Sequence, residues 1–184
     1  MRWLPNLLTG LRAVLTPLIV YLIVDGRCAA ALPITVFAGL TDAADGYLAR
    51  RYGAEGRLGA WLDPIADKML LTALYITFGF AGMVPHWLVW LVVGRDAMIL
   101  SLAALGLFVA AIRDFPPTIW GKLSTVLQIA GTLVFLSGCA GWAAAEALAP
   151  LAIWAVGLAT AWSGLHYLWN ALVRFRQWRG EARP

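Results

Sequence analysis

Charge is what this 184-residue chain has least of. Asp, Glu, Lys and Arg make up 13% of it, against 61% hydrophobic residues. A soluble domain carries roughly 25% charged residues, so a water-facing surface over the whole chain is excluded. Two cysteines and two histidines, without zinc-site or redox spacing, exclude those chemistries. Cys28 and Cys139 read as small apolar packing residues; both fall near the expected outer ends of helices, so a disulfide between them stays open. No linker or low-complexity tail interrupts the sequence, which reads as a single membrane domain over residues 1–184. What the chain does have is tryptophan, ten of them, and eighteen glycines, as expected where helices pack closely in lipid.

Six apolar spans lie near residues 8–24, 31–50, 58–81, 86–111, 119–140 and 149–172, and a crossing needs about 20 residues. The expected fold is therefore an all-α integral membrane protein, a bundle of six transmembrane helices. Polar or turn-forming residues separate the spans: Asp25 to Arg27, Arg51 onward, Gly82 to Pro85, Arg113 to Pro117, and Gly141 to Pro150. Alternate connections divide the basic residues unequally. Arg2, Arg50, Arg51, Arg57, Arg113, Lys122, Arg174, Arg176, Arg179 and Arg183 share one side, and Arg27 stands on the other. By the positive-inside rule both termini are cytoplasmic. The formal charge of +4 thus reads as topology signal and headgroup contact, with no nucleic-acid partner expected. Met1 to Asn6 leads almost directly into apolar sequence, so a mitochondrial presequence is not expected and a bacterial inner membrane fits. A signal-peptide reading of residues 1–30 is opposed by Asp25 and Arg27, charges where a cleavage region should have none.

Against this background four aspartates fall within 26 residues, as Asp42-x-x-Asp45-Gly46-x-x-Ala49-Arg50, then Gly59-x-x-x-Asp63-x-x-x-Asp67. Each ionised carboxylate costs roughly 2.5–3.5 kcal/mol at the centre of a membrane helix, so the group needs a compensating reason. Helical geometry puts Asp42 and Asp45 about 4.5 Å apart along one helix axis and Asp63 and Asp67 about 6 Å apart along the next, each pair on one face. Facing helices would bring all four onto one or two divalent cations. Oxygen-only ligands favour Mg²⁺, Mn²⁺ or Ca²⁺. Pairing with Arg50, Lys68 or Arg95 would explain one or two of the acids but not four. Gly46 and Gly59 open space beside the carboxylates and Arg50 adds a cation, a combination suited to a diphosphate.

This spacing resembles the signature of the CDP-alcohol phosphatidyltransferases, with a chance match at one start position on the order of 10⁻¹⁰. The resemblance covers nearly the whole chain. It implies six transmembrane helices around a cytoplasm-facing cavity, a short N-terminal interfacial helix and a homodimer. It also implies Asp42, Asp45, Asp63 and Asp67 as ligands of two cations, Mg²⁺ or Mn²⁺, with Asp67 as general base. Asp45, Gly46, Ala49, Arg50 and Gly59 would contact the CDP moiety of CDP-diacylglycerol. Pro5-Asn6-Leu7-Leu8-Thr9-x-x-Arg12 is similar to the family's opening segment, so Asn6 is a further candidate for CDP; capping by Asn6 and Thr9 and a headgroup contact by Arg12 are the competing readings. Lys68 reads either as a structural ion-pair partner or as part of the site.

The acceptor must be read elsewhere. Gly94 to Met98, Lys122 with Ser124 and Thr125, and Ser163 to Tyr167 look most like the CMP-forming cardiolipin synthases within the family, implying phosphatidylglycerol as acceptor. Phosphatidylglycerophosphate synthase, using glycerol 3-phosphate, is the alternative. Lys122 and Arg113 are candidates for the acceptor's phosphate or are plain positive-inside charge. His166 is either an acceptor contact or a packed histidine. Arg95 with Asp96 reads first as an intramembrane ion pair and second as a site residue. His86 is expected at the interface. The paired His-x-Lys motifs of phospholipase-D-like enzymes are absent, since His86-Trp87-Leu88 and His166-Tyr167-Leu168 lack the lysine. A divalent-cation transporter is the remote rival. It explains the acids but not the glycine and arginine spacing, and Asp25 and Glu146 are the only acids on the outer side.

Overall fold

The computed structural model describes the backbone of residues 4–52, 59–109 and 118–181, and the side chains of residues 10–41, 69–102 and 118–173. Its backbone forms six α-helices: α1 (Leu4–Val24), α2 (Cys28–Tyr52), α3 (Gly59–Phe80), α4 (His86–Val109), α5 (Ile119–Cys139) and α6 (Ala143–Glu181). No strand occurs among the described residues. Each helix overlaps one expected apolar span. Among the described residues, Ile119–Cys139 and Ala143–Val173 are long and apolar enough to cross a membrane, and shorter apolar stretches run over Gly10–Val24, Cys28–Thr41 and Met69–Phe80.

Two expectations about boundaries are corrected. Among the described residues no separate N-terminal helix precedes the first span, because α1 runs without a break from Leu4 to Val24. Pro5 lies in its first turn, where a missing N–H costs nothing, and no breaker follows until Pro17. The last connection is also shorter than expected, because α6 starts at Ala143 and carries Pro150 inside it.

Three of the turns share one chemistry. Asp25–Arg27, Ala81–Met83 and Ala140–Trp142 each place a glycine in the left-handed region, Gly26 (φ 73°), Gly82 (φ 71°) and Gly141 (φ 91°). The residue after each glycine donates its N–H five residues back: Arg27 to Leu22 at 2.8 Å, Met83 to Phe78 at 2.9 Å, Trp142 to Ser137 at 3.0 Å. This is the Schellman arrangement, which satisfies terminal carbonyls and which glycine adopts without a Cβ penalty. The Trp142 carbonyl then accepts from Ala145 and Glu146 and opens α6.

The chain divides into two compact units. The first comprises Met1–Pro85 and Thr132–Ala149. In it α1 packs against both α2 and α3, burying Ile19, Leu22, Ile23, Ala31, Ala38 and Leu74. Tyr75, Phe78 and Phe135 form an edge-to-face aromatic cluster with centroids 5.9–6.3 Å apart, tying α3 to the end of α5. Tyr75 is also hydrogen-bonded to Thr132. Cys28 and Cys139 are joined in a disulfide across 111 residues, with Cα atoms 5.7 Å apart. The reading of these cysteines as packing residues is thereby corrected: the start of α2 and the end of α5 meet, a fact of tertiary packing.

The second unit, His86–Gly131 with Pro150–Pro184, contains α4, most of α5 and the long part of α6. Its interior is unusually rich in polar groups: Arg95, Asp96, Ser124, Gln128, Thr160 and Ser163 are buried beside Leu88, Val92 and Val156. Its exterior is apolar, with Trp90, Trp154, Leu158, Trp162, Leu165 and Trp169 exposed. Along α6 the small and polar residues Gly157, Thr160, Ser163 and Gly164 face inward. A Cβ on Gly157 would lie 2.8 Å from the Trp87 ring, so this glycine permits the close approach of α4 and α6.

Candidate active site

The aspartate pattern occupies the second half of α2 and the first half of α3. Helix continues through Tyr52 on α2 and begins at Gly59 on α3. Positions 42 and 45 therefore lie one turn apart on α2, and positions 63 and 67 one turn apart on α3. Both helices pack on α1. The side chains of Asn6, Asp42, Asp45, Ala49, Arg50, Asp63, Asp67 and Lys68 lie outside the described residues, as do the surroundings of Gly46 and Gly59; Arg113 lies outside them altogether. Among the described residues no three His, Cys, Asp or Glu side chains cluster.

The donor set fits the hard cations that the pattern implies. Carboxylates alone, in pairs one turn apart on two helices, match oxygen-seeking ions and offer no soft ligand. On α1, which packs on both of these helices, Arg12 is buried at 6% exposure. Its burial keeps a cation inside the unit that carries the four acids. Thr16 donates to the Arg12 carbonyl at 2.8 Å.

The acceptor candidates of the second unit separate clearly. Arg95 donates to Asp96 at 2.6 Å and to Ser163 at 3.0 Å, with both charged side chains under 10% exposed. Its guanidinium lies 5.7 Å from the centre of the Tyr167 ring. The expected buried ion pair is present, extended by α6. A second polar knot joins Ser124 to Thr160 at 3.2 Å and Gln128 to Thr160 at 3.2 Å. His166 is half-buried and pairs with Asn170 at 3.2 Å, a residue of its own helix one turn on. It borders an apolar hollow with Trp162, Leu165, Leu168, Trp169 and Leu172. Lys122 is exposed in the first turn of α5, and His86 is exposed at the start of α4.

Residue-level reading of the sequence passed over Tyr167. Its hydroxyl accepts the Thr118 N–H at 3.1 Å, 49 residues away. The Thr118 hydroxyl in turn accepts the Gly121 N–H at 3.1 Å and caps α5. The available signal was Gly121, placed where a helix would otherwise prefer a side chain.

Comparison with known proteins places the chain in a family. The family profile described as CDP-alcohol phosphatidyltransferase matches residues 2–162. A Drosophila melanogaster protein named probable cardiolipin synthase (CMP-forming) is 33% identical over 184 residues, covering 91% of this chain and 57% of the fly protein. The Rattus norvegicus cardiolipin synthase (CMP-forming) is 39% identical over 99 residues, 53% of this chain and 33% of the rat protein. An Aquifex aeolicus CDP-diacylglycerol–glycerol-3-phosphate 3-phosphatidyltransferase is 34% identical over 125 residues, 66% of this chain and 68% of that protein. The chain thus spans little more than half the length of the fly relative and about a third of the rat one. With its acidic pattern on two continuous helices and the profile matched over most of its length, the chain belongs to the CDP-alcohol phosphatidyltransferase family.

Proposed function

We propose that this chain transfers the phosphatidyl group of CDP-diacylglycerol to a hydroxyl of phosphatidylglycerol, giving cardiolipin and CMP. The acceptor oxygen attacks the lipid-bearing phosphorus in line, the bond from that phosphorus to the CMP oxygen breaks, and Asp67 takes the hydroxyl proton. Asp42, Asp45, Asp63 and Asp67 would hold two divalent cations, Mg²⁺ or Mn²⁺, whose charge would screen the diphosphate and stabilise the departing oxygen. Asp45, Gly46, Ala49, Arg50 and Gly59 orient the CDP moiety, with Asn6 a further contact. Lys122 and Arg113 bind the acceptor's phosphate.

The observation that carries this reading is the unbroken helix through both halves of the acidic pattern in a chain of this family. Cardiolipin synthase names among the relatives favour phosphatidylglycerol as acceptor. The Aquifex relative, by its name, supports glycerol 3-phosphate as the second reading. Arg95 is assigned to the ion pair that ties α4 to α6, and His166 to its contact with Asn170.

The same reading makes residues 1–184 one membrane domain, six helices crossing a bacterial inner membrane with both termini and the acids on the cytoplasmic side, the whole forming a homodimer. Exposed tryptophans and leucines around buried polar and charged groups support a hydrocarbon surrounding, the reverse of a soluble surface. The Cys28–Cys139 bridge supports the orientation: disulfides persist in oxidising compartments, and this one joins helix ends on the side assigned to the periplasm.

The test is incubation of purified protein with CDP-diacylglycerol, Mg²⁺ or Mn²⁺, and either phosphatidylglycerol or glycerol 3-phosphate. Cardiolipin and CMP are the expected products. Product from glycerol 3-phosphate alone would replace the first acceptor by the second, and uptake of cations into vesicles without CMP release would favour a transporter.

A further inference from the structure

We propose that Tyr167 is a positioning residue for the acceptor, fixing the start of α5 so that Lys122 is held where the acceptor's phosphate binds. This rests on the reading above that Lys122 contacts that phosphate. The Tyr167 hydroxyl accepts the Thr118 N–H at 3.1 Å, and the Thr118 carbonyl accepts the Lys122 N–H at 3.1 Å. One tyrosine oxygen therefore anchors the turn that carries the lysine. The packing is built for it: a Cβ on Gly121 would lie 3.0 Å from Cε2 and Oη of Tyr167 and 3.2 Å from the Thr118 hydroxyl. Any larger residue at 121 would press on the tyrosine.

The ring has a second neighbour. Arg95 lies 5.7 Å from its centre and is pinned by Asp96 and by Ser163, one turn before Tyr167 on α6. A buried ion pair thus braces the ring, the ring braces the helix start, and exposed Lys122 extends from it. Lysine is a flexible point charge, and it holds a phosphate oxygen best when its backbone does not move.

Tyr167→Phe keeps the ring over Arg95 and removes only the oxygen. In mixed micelles with CDP-diacylglycerol and Mn²⁺, kinetics are measured with phosphatidylglycerol and with glycerol 3-phosphate, which share the phosphate. The expected result is an acceptor KM raised about fivefold, the scale of one lost hydrogen bond, with kcat and donor KM within about twofold. Gly121→Ala should reproduce that split. Lys122→Ala should raise acceptor KM by itself, and adding Tyr167→Phe to it should raise KM no further. Multiplying effects in the double variant, or a Tyr167→Phe protein with a lowered Tm and unchanged acceptor KM, would overturn the proposal while leaving Lys122 in place. An unchanged acceptor KM in Lys122→Ala would instead remove the lysine assignment, and Tyr167's role with it.

Discussion

Removing Asp96 should be among the most damaging single changes in the second unit. Arg95 and Asp96 pair at 2.6 Å with side chains 5% and 9% exposed, so water can do little to screen a charge left behind. Breaking a buried pair costs about 3–5 kcal/mol, because the surviving ion is uncompensated. In Asp96→Ala the arginine keeps its bond to Ser163 and the face of Tyr167, and a cation over an aromatic face returns about 1 kcal/mol. The loss should therefore sit near the lower end, about 3 kcal/mol, a fall in Tm of about 6–12 °C for a chain of this size. Melting of the detergent-purified protein, followed by tryptophan fluorescence, reads this directly. The companion is Arg95→Met with Asp96→Leu, which removes both charges and should recover most of the stability, since well-packed apolar replacements of a buried pair are often neutral or better. An Asp96→Ala protein melting within about 2 °C of the parent, or a double variant no more stable than the single, would refute the argument from uncompensated charge.

Asp67→Asn should abolish CMP release while CDP-diacylglycerol still binds in the presence of metal; full turnover would remove Asp67 as the base, and Asp42→Asn should lose the metal dependence of activity. Cys139→Ser should lower stability by about 4–5 kcal/mol, the loop-closure scale for about 100 residues, and a thiol count on unreduced, denatured parent protein should find none free. Two reactive thiols there would deny the bridge. Gly157→Leu should destabilise by about 1–3 kcal/mol by driving into Trp87, and an unchanged melt would mean that α4 and α6 do not approach as closely as their glycine contact implies.

Helix number and the acidic pattern were legible from sequence because both are local. Hydropathy over about 20 residues and a period of 3.6 depend only on near neighbours. Hence a helix overlaps each expected apolar stretch among the described residues, and positions 42, 45, 63 and 67 keep their one-turn spacing. The exceptions are also local in cause: an interfacial break was expected in α1 where nothing between Pro5 and Pro17 interrupts helix, and Pro150 was read as a boundary although α6 runs through it. Arg95 and Asp96 were expected to pair from adjacency and burial alone.

Their third partner was not legible, since Ser163 lies 68 residues away. The Cys28–Cys139 bridge and the bond from Thr118 to Tyr167 are of the same kind. So is the difference between two neighbours on α6, where His166, the candidate, bonds within its own helix and Tyr167 bonds to Thr118 at the start of α5. One residue of shift moves a side chain about 100° around a helix, and composition is the same on either side of it. A sparsely charged chain with four spaced aspartates is enough to specify helices and to suggest the diphosphate chemistry proposed above. Which distant side chains brace that chemistry depends on the faces the helices bury against one another, and that is a property of packing.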